Sequence, residues 1–261
     1  MKTTIAYKGF DKTLKCRNFQ YKIGETYTED KAEICQSGFH ACTNPLDIWS
    51  YYAPIDGARF AQVELIGETF SEKGKDSKIC AKTIKIIKEL TIKELIDLAV
   101  KMNPNASSGD YAKNGSSGNY ATNASSGYYA TNASSGYSAN NASSGYSAKN
   151  ASSGNNAKNA SSGDFAKNAS SGDSASNASS GYSANNASSG DYASNEALGK
   201  NSVIACAGNG SKAKGVKGTW FALPKYNKEG ICTGFITGCF GENDIKENTW
   251  YTVKDEVLIE S

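Results

Sequence analysis

The chain has 261 residues, 38% of them apolar, with 28 basic against 26 acidic side chains and a formal net charge of +2. Charge is balanced locally too, at 16 basic and 14 acidic residues in 1–104, four of each in 105–194 and eight of each in 195–261, which excludes a polyanion or polycation built to mimic or wrap nucleic acid. No run approaches the roughly 18 apolar residues of a membrane span, and no short apolar stretch after Met1 marks a secretory signal.

Seven cysteines at irregular spacings fit a reducing compartment better than a disulfide framework, so the expected location is the cytoplasm. Thr3–Phe10 is a β-branched run ending near Gly9 and predicts a first strand, with further short strands at 19–21 and 59–66. Residues 45–52 have the apolar spacing of a short helix, with Asn44 as cap and Pro45 in the first turn. Residues 78–87 predict a strand with Ile84 and Ile86 on one face. Thr91 and Glu94 form a capping box ahead of Ile92, Leu95, Ile96 and Ala99, a helix over 91–101 that Pro104 ends. These pieces predict a small α+β head over 1–104, its last helix acting as an amino-terminal cap.

Ten copies of Asn-Ala-Ser-Ser-Gly-x-x-Ala-x, with Gly115 the one replacement of the second-position Ala, then run without a gap over 105–194. A fixed short period means stacked coils, here two units per 18-residue turn in a two-faced β-roll or β-helix of about five coils, roughly 24 Å tall. A three-sided coil is the alternative, although nine does not divide into faces of six. The invariant fifth-position Gly predicts a turn that needs positive φ, and the Ala residues at positions eight and two predict inward sites of a methyl core. Asn at position one predicts a side-chain amide ladder, with the two serines doing similar work at the corner. In the tail, Val203 to Ala207 predicts a break in the repeat, followed by a three-strand antiparallel meander that makes 204–261 a carboxy-terminal β cap. The predicted fold class is therefore mainly β: an α+β head, a solenoid over 105–203 and a β cap.

Candidate chemistry is sparse. Cys35, His40 and Cys42, with Cys16 upstream and Cys80 beyond, are the residue types of a zinc site, but without the usual knuckle spacing. A Cys nucleophile with His40 as its base is a further reading, and no oxyanion-hole motif accompanies it. Sixth-position Asp recurs only at Asp110, Asp164, Asp173 and Asp191, too irregularly for calcium nonapeptides. No cofactor is expected. The binding candidates are the rings at the two variable positions: Tyr111, Tyr120, Tyr128, Tyr129, Tyr137, Tyr146, Phe165, Tyr182 and Tyr192. They either brace neighbouring coils or present a partner-binding surface, and balanced charge argues for a protein partner over nucleic acid.

Tyr-Lys-Gly-Phe at 7–10, Gly-Phe-His-Ala-Cys at 38–42, Asn-Pro-Leu-Asp at 44–47, Lys-Ile-Cys-Ala at 78–81 and Thr-Trp-Tyr-Thr-Val-Lys at 249–254 resemble a family of unknown function from phages and prophages of Gram-positive bacteria. In that family nine-residue Ala/Gly/Ser-rich repeats often follow the first domain. The resemblance implies a viral setting. Tyr7-Lys8-Gly9, Gly38-Phe39-His40 and Tyr51-Tyr52 are also patterned like the opening strands of ADP-ribosyltransferase-like folds, which would need a catalytic carboxylate such as Glu64 or Glu68. Together these readings predict a non-enzymatic phage protein that binds a host protein or complex, with an antiviral defence component among the candidates. The alternatives are a structural or adhesive virion component, which would oligomerise, and an ADP-ribosyltransferase-like enzyme or inactive relative.

Overall fold

The computed structural model of the chain describes residues 2–71, 77–102 and 109–261, and its contacts divide into two units, 1–102 and 103–261. Pro104 and the first four residues of the first repeat lie outside the described residues.

In the head, the strands are β1 (Thr3–Phe10), β2 (Lys15–Cys16), β3 (Phe19–Gln20), β4 (Thr26–Thr28), β5 (Phe39–Cys42), β6 (Arg59–Ile66), β7 (Phe70–Ser71), β8 (Lys78–Ala81) and β9 (Thr83–Leu90). Seven of them form an antiparallel sheet in the order β4-β9-β6-β1-β5-β8-β7, while β2 and β3 pair as a small hairpin. Alternation along β1, β6 and β9 sends Phe10, Val63, Leu65, Ile84 and Ile86 into one core with Leu14, Tyr21 and Phe39. The strand expected over 78–87 is broken at Lys82 into β8 and β9, so that its halves reach opposite sides of the sheet. The expected helix at 45–52 is a single 3-10 turn, Asp47–Ser50, with the Asn44 Oδ1 accepting the Leu46 N–H at 3.1 Å. Its bonds are mainly i to i+3, Trp49 N–H to the Leu46 carbonyl and Tyr51 N–H to the Ile48 carbonyl, with a single i to i+4 bond from the Tyr52 N–H to the Ile48 carbonyl that is not continued.

Helix α1 (Ile92–Met102) starts at the predicted capping box, the Thr91 N–H donating to Glu94 Oε2 at 2.9 Å and the Glu94 N–H to Thr91 Oγ1 at 3.2 Å. Leu95, Ile96 and Ala99 are its buried stripe, and the Tyr7 hydroxyl donates to Met102 Sδ at 3.4 Å.

The repeats form a β-solenoid of about six turns over residues 113–222. Each unit contributes one four-residue strand made of positions nine, one, two and three. Alternate strands enter alternate parallel sheets in an 18-residue register: Lys113 pairs with Thr131, and Thr122 with Asn140. The first sheet begins at Lys113–Ser116 and the second at Thr122–Ser125.

Period-two alternation sets Asn at position one and Ser at position three inward and Ala at position two outward, the reverse of the predicted inward Ala; Ala133, Ala151, Ala169 and Ala187 of the first sheet are exposed. The eighth-position Ala packs inside the coil, as at Ala139, Ala148 and Ala157, and on the second sheet the outward Ala124, Ala142, Ala160 and Ala178 are buried as well. The core is thus amides and hydroxyls as much as methyls. Asn132 Nδ2 lies 2.9 Å from Asn150 Oδ1 in the next coil, 2.6 Å from the Ala142 carbonyl and 3.0 Å from Ser125 Oγ, the last two on the opposite sheet. The same three contacts recur at Asn141, Asn150, Asn159 and Asn168.

Positive φ falls on the seventh position rather than on the invariant Gly, at Tyr111, Tyr129, Ser147, Phe165 and their counterparts. Close approach explains the fifth-position Gly instead: a Cβ on Gly163 would collide with the carbonyl oxygen of Gly145 one coil below.

The coil also runs past the predicted break. Val203–Cys206 pairs with Asn185–Ser188 and Lys212–Gly215 with Ser194–Ala197, each as an ordinary rung. Ile204 and Ala213 take the place of the ladder asparagines, and with Phe221, Leu223, Phe240 and Tyr251 they form an apolar plug. The tail is not one meander. Trp220–Tyr226 and Cys232–Cys239 extend the first sheet, while the hairpin Tyr251–Lys254 and Val257–Glu260 extends the second.

Candidate functional site

Two features stand out, one in each unit. In the head, β1, β5 and the loops around them frame a cavity of about 720 Å³ lined by Tyr7, Lys8, Arg17, His40, Tyr52 and Lys78 among others. Gly9 is needed here because a Cβ would sit 2.7 Å from that of Tyr52, whose ring forms part of the wall. Arg17 and Cys35 line the cavity at φ 55° and 64°, left-handed conformations that cost non-glycine residues stability.

Lys8 is 5% exposed, and its ammonium donates to the His40 carbonyl at 2.9 Å and to Cys16 Sγ at 3.5 Å, with the Phe10 and Tyr21 rings 5.7 and 5.4 Å away. Burial holds its pKa below the ordinary lysine value, opposed by Cys16 and Cys42. His40 Nε2 accepts the Cys35 N–H at 2.9 Å, which leaves Nδ1 to donate to the Gly38 carbonyl at 3.1 Å and assigns a neutral ring. Burial first, then Lys8, pushes the His40 pKa down. Lys78 donates to Cys35 Sγ at 3.0 Å and stands 4.8 Å over the Tyr51 ring.

This arrangement corrects two sequence-based readings. His40 turns both ring nitrogens to backbone groups, so it is not placed as a base for Cys35. Cys35, His40 and Cys42 do not assemble a metal site: among the described residues no three His, Cys, Asp or Glu side chains come together to hold an ion. Glu64 lies on β6 opposite Ile5 and Lys85, and neither it nor Glu68 lines the cavity. Among the described residues the one carboxylate in the lining is Glu29, whose Oε2 accepts the Gly38 N–H at 2.9 Å. Chemically, the cavity joins aromatic walls to Lys8, Arg17 and Lys78, a set suited to an anion with a flat, apolar part. Sequence reasoning missed it as a cavity because its lining comes from short segments scattered between Tyr7 and Lys78.

In the solenoid, the 18-residue coil sorts the predicted binding residues between two edges. Tyr111, Tyr128, Tyr129, Tyr146, Phe165 and Tyr182 fall on one edge and Tyr120, Tyr137 and Tyr192 on the other. On the first edge the rings form an unbroken series: Tyr111 stacks on Tyr129 at 5.3 Å, and contacts of 6.2, 5.2 and 6.0 Å continue through Tyr146 and Phe165 to Tyr182. Exposure nonetheless runs from 39% at Tyr146 to 69% at Tyr111. Opposite, Tyr120 meets Tyr137 at 6.0 Å, and Tyr192 is separated from them by coils bearing Asn155, Asn156, Asp173 and Ser174.

The sixth-position Asp and Asn residues have a structural role: Oδ1 of Asp110, Asn119, Asn155, Asp164, Asp173 and Asp191 each accepts the N–H of the sixth-position residue one coil on, at 2.7–3.0 Å.

Among the described residues no helix is long and apolar enough to cross a membrane. Comparison with curated proteins and with solved structures finds no match. Residues 4–98, the head strands and most of α1, are similar to a family described as a domain of unknown function (DUF7666).

Proposed function

We propose that this is a phage-encoded, non-enzymatic binding protein that acts inside the bacterial host by docking a host protein or complex, a component of antiviral defence being the target class, with the solenoid as a rigid display surface. The observation that supports this is the unbroken exposed aromatic series from Tyr111 to Tyr182 on a single edge. Contacts between rings brace the coils, yet bracing alone does not require that the rings stay open to solvent. Tyrosine gives large contact area at small entropic cost, which suits partner recognition. The test compares host-lysate pull-downs by the wild type, by a Tyr129→Ser/Tyr146→Ser/Phe165→Ser chain and by a Tyr120→Ser/Tyr137→Ser control. A stoichiometric partner kept by the control and lost by the first variant is the expected result; equal retention by all three overturns the reading.

A second reading has its own observation. The head cavity is built from the same residues that resemble ADP-ribosyltransferase-like folds, while neither Glu64 nor Glu68 lines it. That favours an inactive relative holding a nucleotide-like ligand over an enzyme. Titration with nicotinamide dinucleotide decides it: consumption of the dinucleotide would restore the enzyme, and no binding would remove both forms.

A further inference from the structure

The outward side of the first solenoid sheet carries a pattern that the nine-residue period conceals. Strand register places Lys113, Lys149, Lys167, Val203 and Trp220 in one column, with Thr131 and Asn185 between them, and the alanines from Ala133 to Ala222 in the next. Three of the four repeat lysines therefore stand on this face, and neither column holds an Asp or Glu. The four repeat aspartates all lie in the turns, engaged with backbone N–H groups. A shallow groove of about 710 Å³ follows the alanines and ends at Phe235. At that end Val203, Trp220 and Phe235 are 45%, 54% and 53% exposed.

Two features of this face lack a purpose within the rod. Lys149 and Lys167 are direct cross-strand partners, a like-charge pair that weakens a sheet unless an anion offsets it. Trp220 lies open on a flat sheet surface although the apolar plug is formed by Phe221 and Leu223 on the other side of its strand. Exposed Trp beside a groove is the usual anchor of a protein interface.

We infer that this face docks an acidic polypeptide segment of a partner protein, laid along the rod with its apolar side chains on the alanine column and Trp220 and its carboxylates on Lys113, Lys149 and Lys167. The inference rests on the docking-platform reading above and names the chemistry of what docks. A second copy docked through the same face fits poorly, because the two columns offer the lysines no carboxylate. Single-stranded nucleic acid needs aromatic platforms along a cationic track. Here Trp220 stands beyond the lysines, and the chain's arginines, Arg17 and Arg59, are both in the head.

The test uses the full chain and a fluorescent peptide of alternating Glu and Leu, with oligothymidylate of equal length as competitor. Wild type is expected to bind the peptide, and Lys149→Gln/Lys167→Gln and Trp220→Ser to weaken it about tenfold each, while Tyr120→Ser has no effect. Carbodiimide cross-linking should join the peptide's carboxylates to Lys149 or Lys167. Thermal unfolding monitors folding, and the double Gln variant should melt no lower than wild type because the like-charge pair is gone.

Absence of peptide binding, binding indifferent to the Gln changes, displacement by tighter oligothymidylate, or a concentration-dependent dimer lost in Trp220→Ser would each overturn the inference. None of these results bears on the aromatic-edge pull-down, so the two ideas fail separately.

Discussion

From Asn123 to Asn177 each ladder asparagine is the hinge of three contacts: its amide nitrogen reaches the next coil, a carbonyl of the facing sheet and a serine hydroxyl, as Asn159 does at 2.9, 2.8 and 3.0 Å. With such groups fully buried, losing one leaves unsatisfied partners rather than a mere void. Asn159→Ala is therefore expected to lower unfolding free energy by about 1–3 kcal/mol in urea titration, whereas Ala151→Ser, outward on the first sheet, should change it little. In the head, His40 gives a pH dependence of definite sign. Its folded pKa is held below the ordinary 6.5 by burial and Lys8, so the unfolded chain binds the extra proton first. Stability from this group is full above about pH 6.5 and is lost as pH falls through the lower folded value, because protonated Nε2 can no longer accept the Cys35 N–H. Chemical denaturation from pH 8 to 5 should show this decline in the wild type and a shallower one in His40→Asn.

Strands and helices were readable where one local rule decided them, and misread where two rules competed. The capping box at Thr91 and Glu94 and the alternation of Ile84 and Ile86 needed only neighbours in sequence, and both are found. The two-sheet coil followed from the period. Its interior did not: the expectation that Ala goes inside outweighed alternation at position two, although a ladder of amides can occupy a core when every donor finds an acceptor. The fifth-position Gly was assigned to backbone conformation when the reason is spatial, the carbonyl of the coil below, which no single unit contains. The rungs at 204–215 were hidden because Ile204 and Ala213 replace the marker asparagine at the point where the apolar plug takes over. Of the candidate sites, the rings were legible one by one, but their division between edges required knowing that neighbours in space are 18 residues apart. The head cavity draws on six separate segments, and only the likeness of Tyr7–Gly9 and Gly38–His40 to a ligand-binding pattern hinted at it.

For the molecule as a whole, the decisive quantity is the parity of the repeat. Successive units go to opposite sheets, and the tail finishes each sheet with its own segment, Trp220–Tyr226 on the first and the Tyr251–Lys254 hairpin on the second. Deleting residues 150–167 removes a full coil and should leave a folded, shorter rod with a cooperative melt. Deleting 150–158 removes half a coil, sends every later unit to the wrong sheet and divides the aromatic edge; circular dichroism and thermal unfolding should show a large loss relative to the longer deletion. The seventh position adds a further consequence. It keeps Tyr, Phe and Ser in left-handed backbone at turn after turn, and only the last turn uses Gly210. Each such residue costs about 1 kcal/mol that glycine would spare. The chain has thus retained strain at the corners where its rings are mounted. An engineer who relaxed those corners with glycine would obtain a sturdier rod stripped of five of its nine rings, Tyr111, Tyr120, Tyr129, Phe165 and Tyr192.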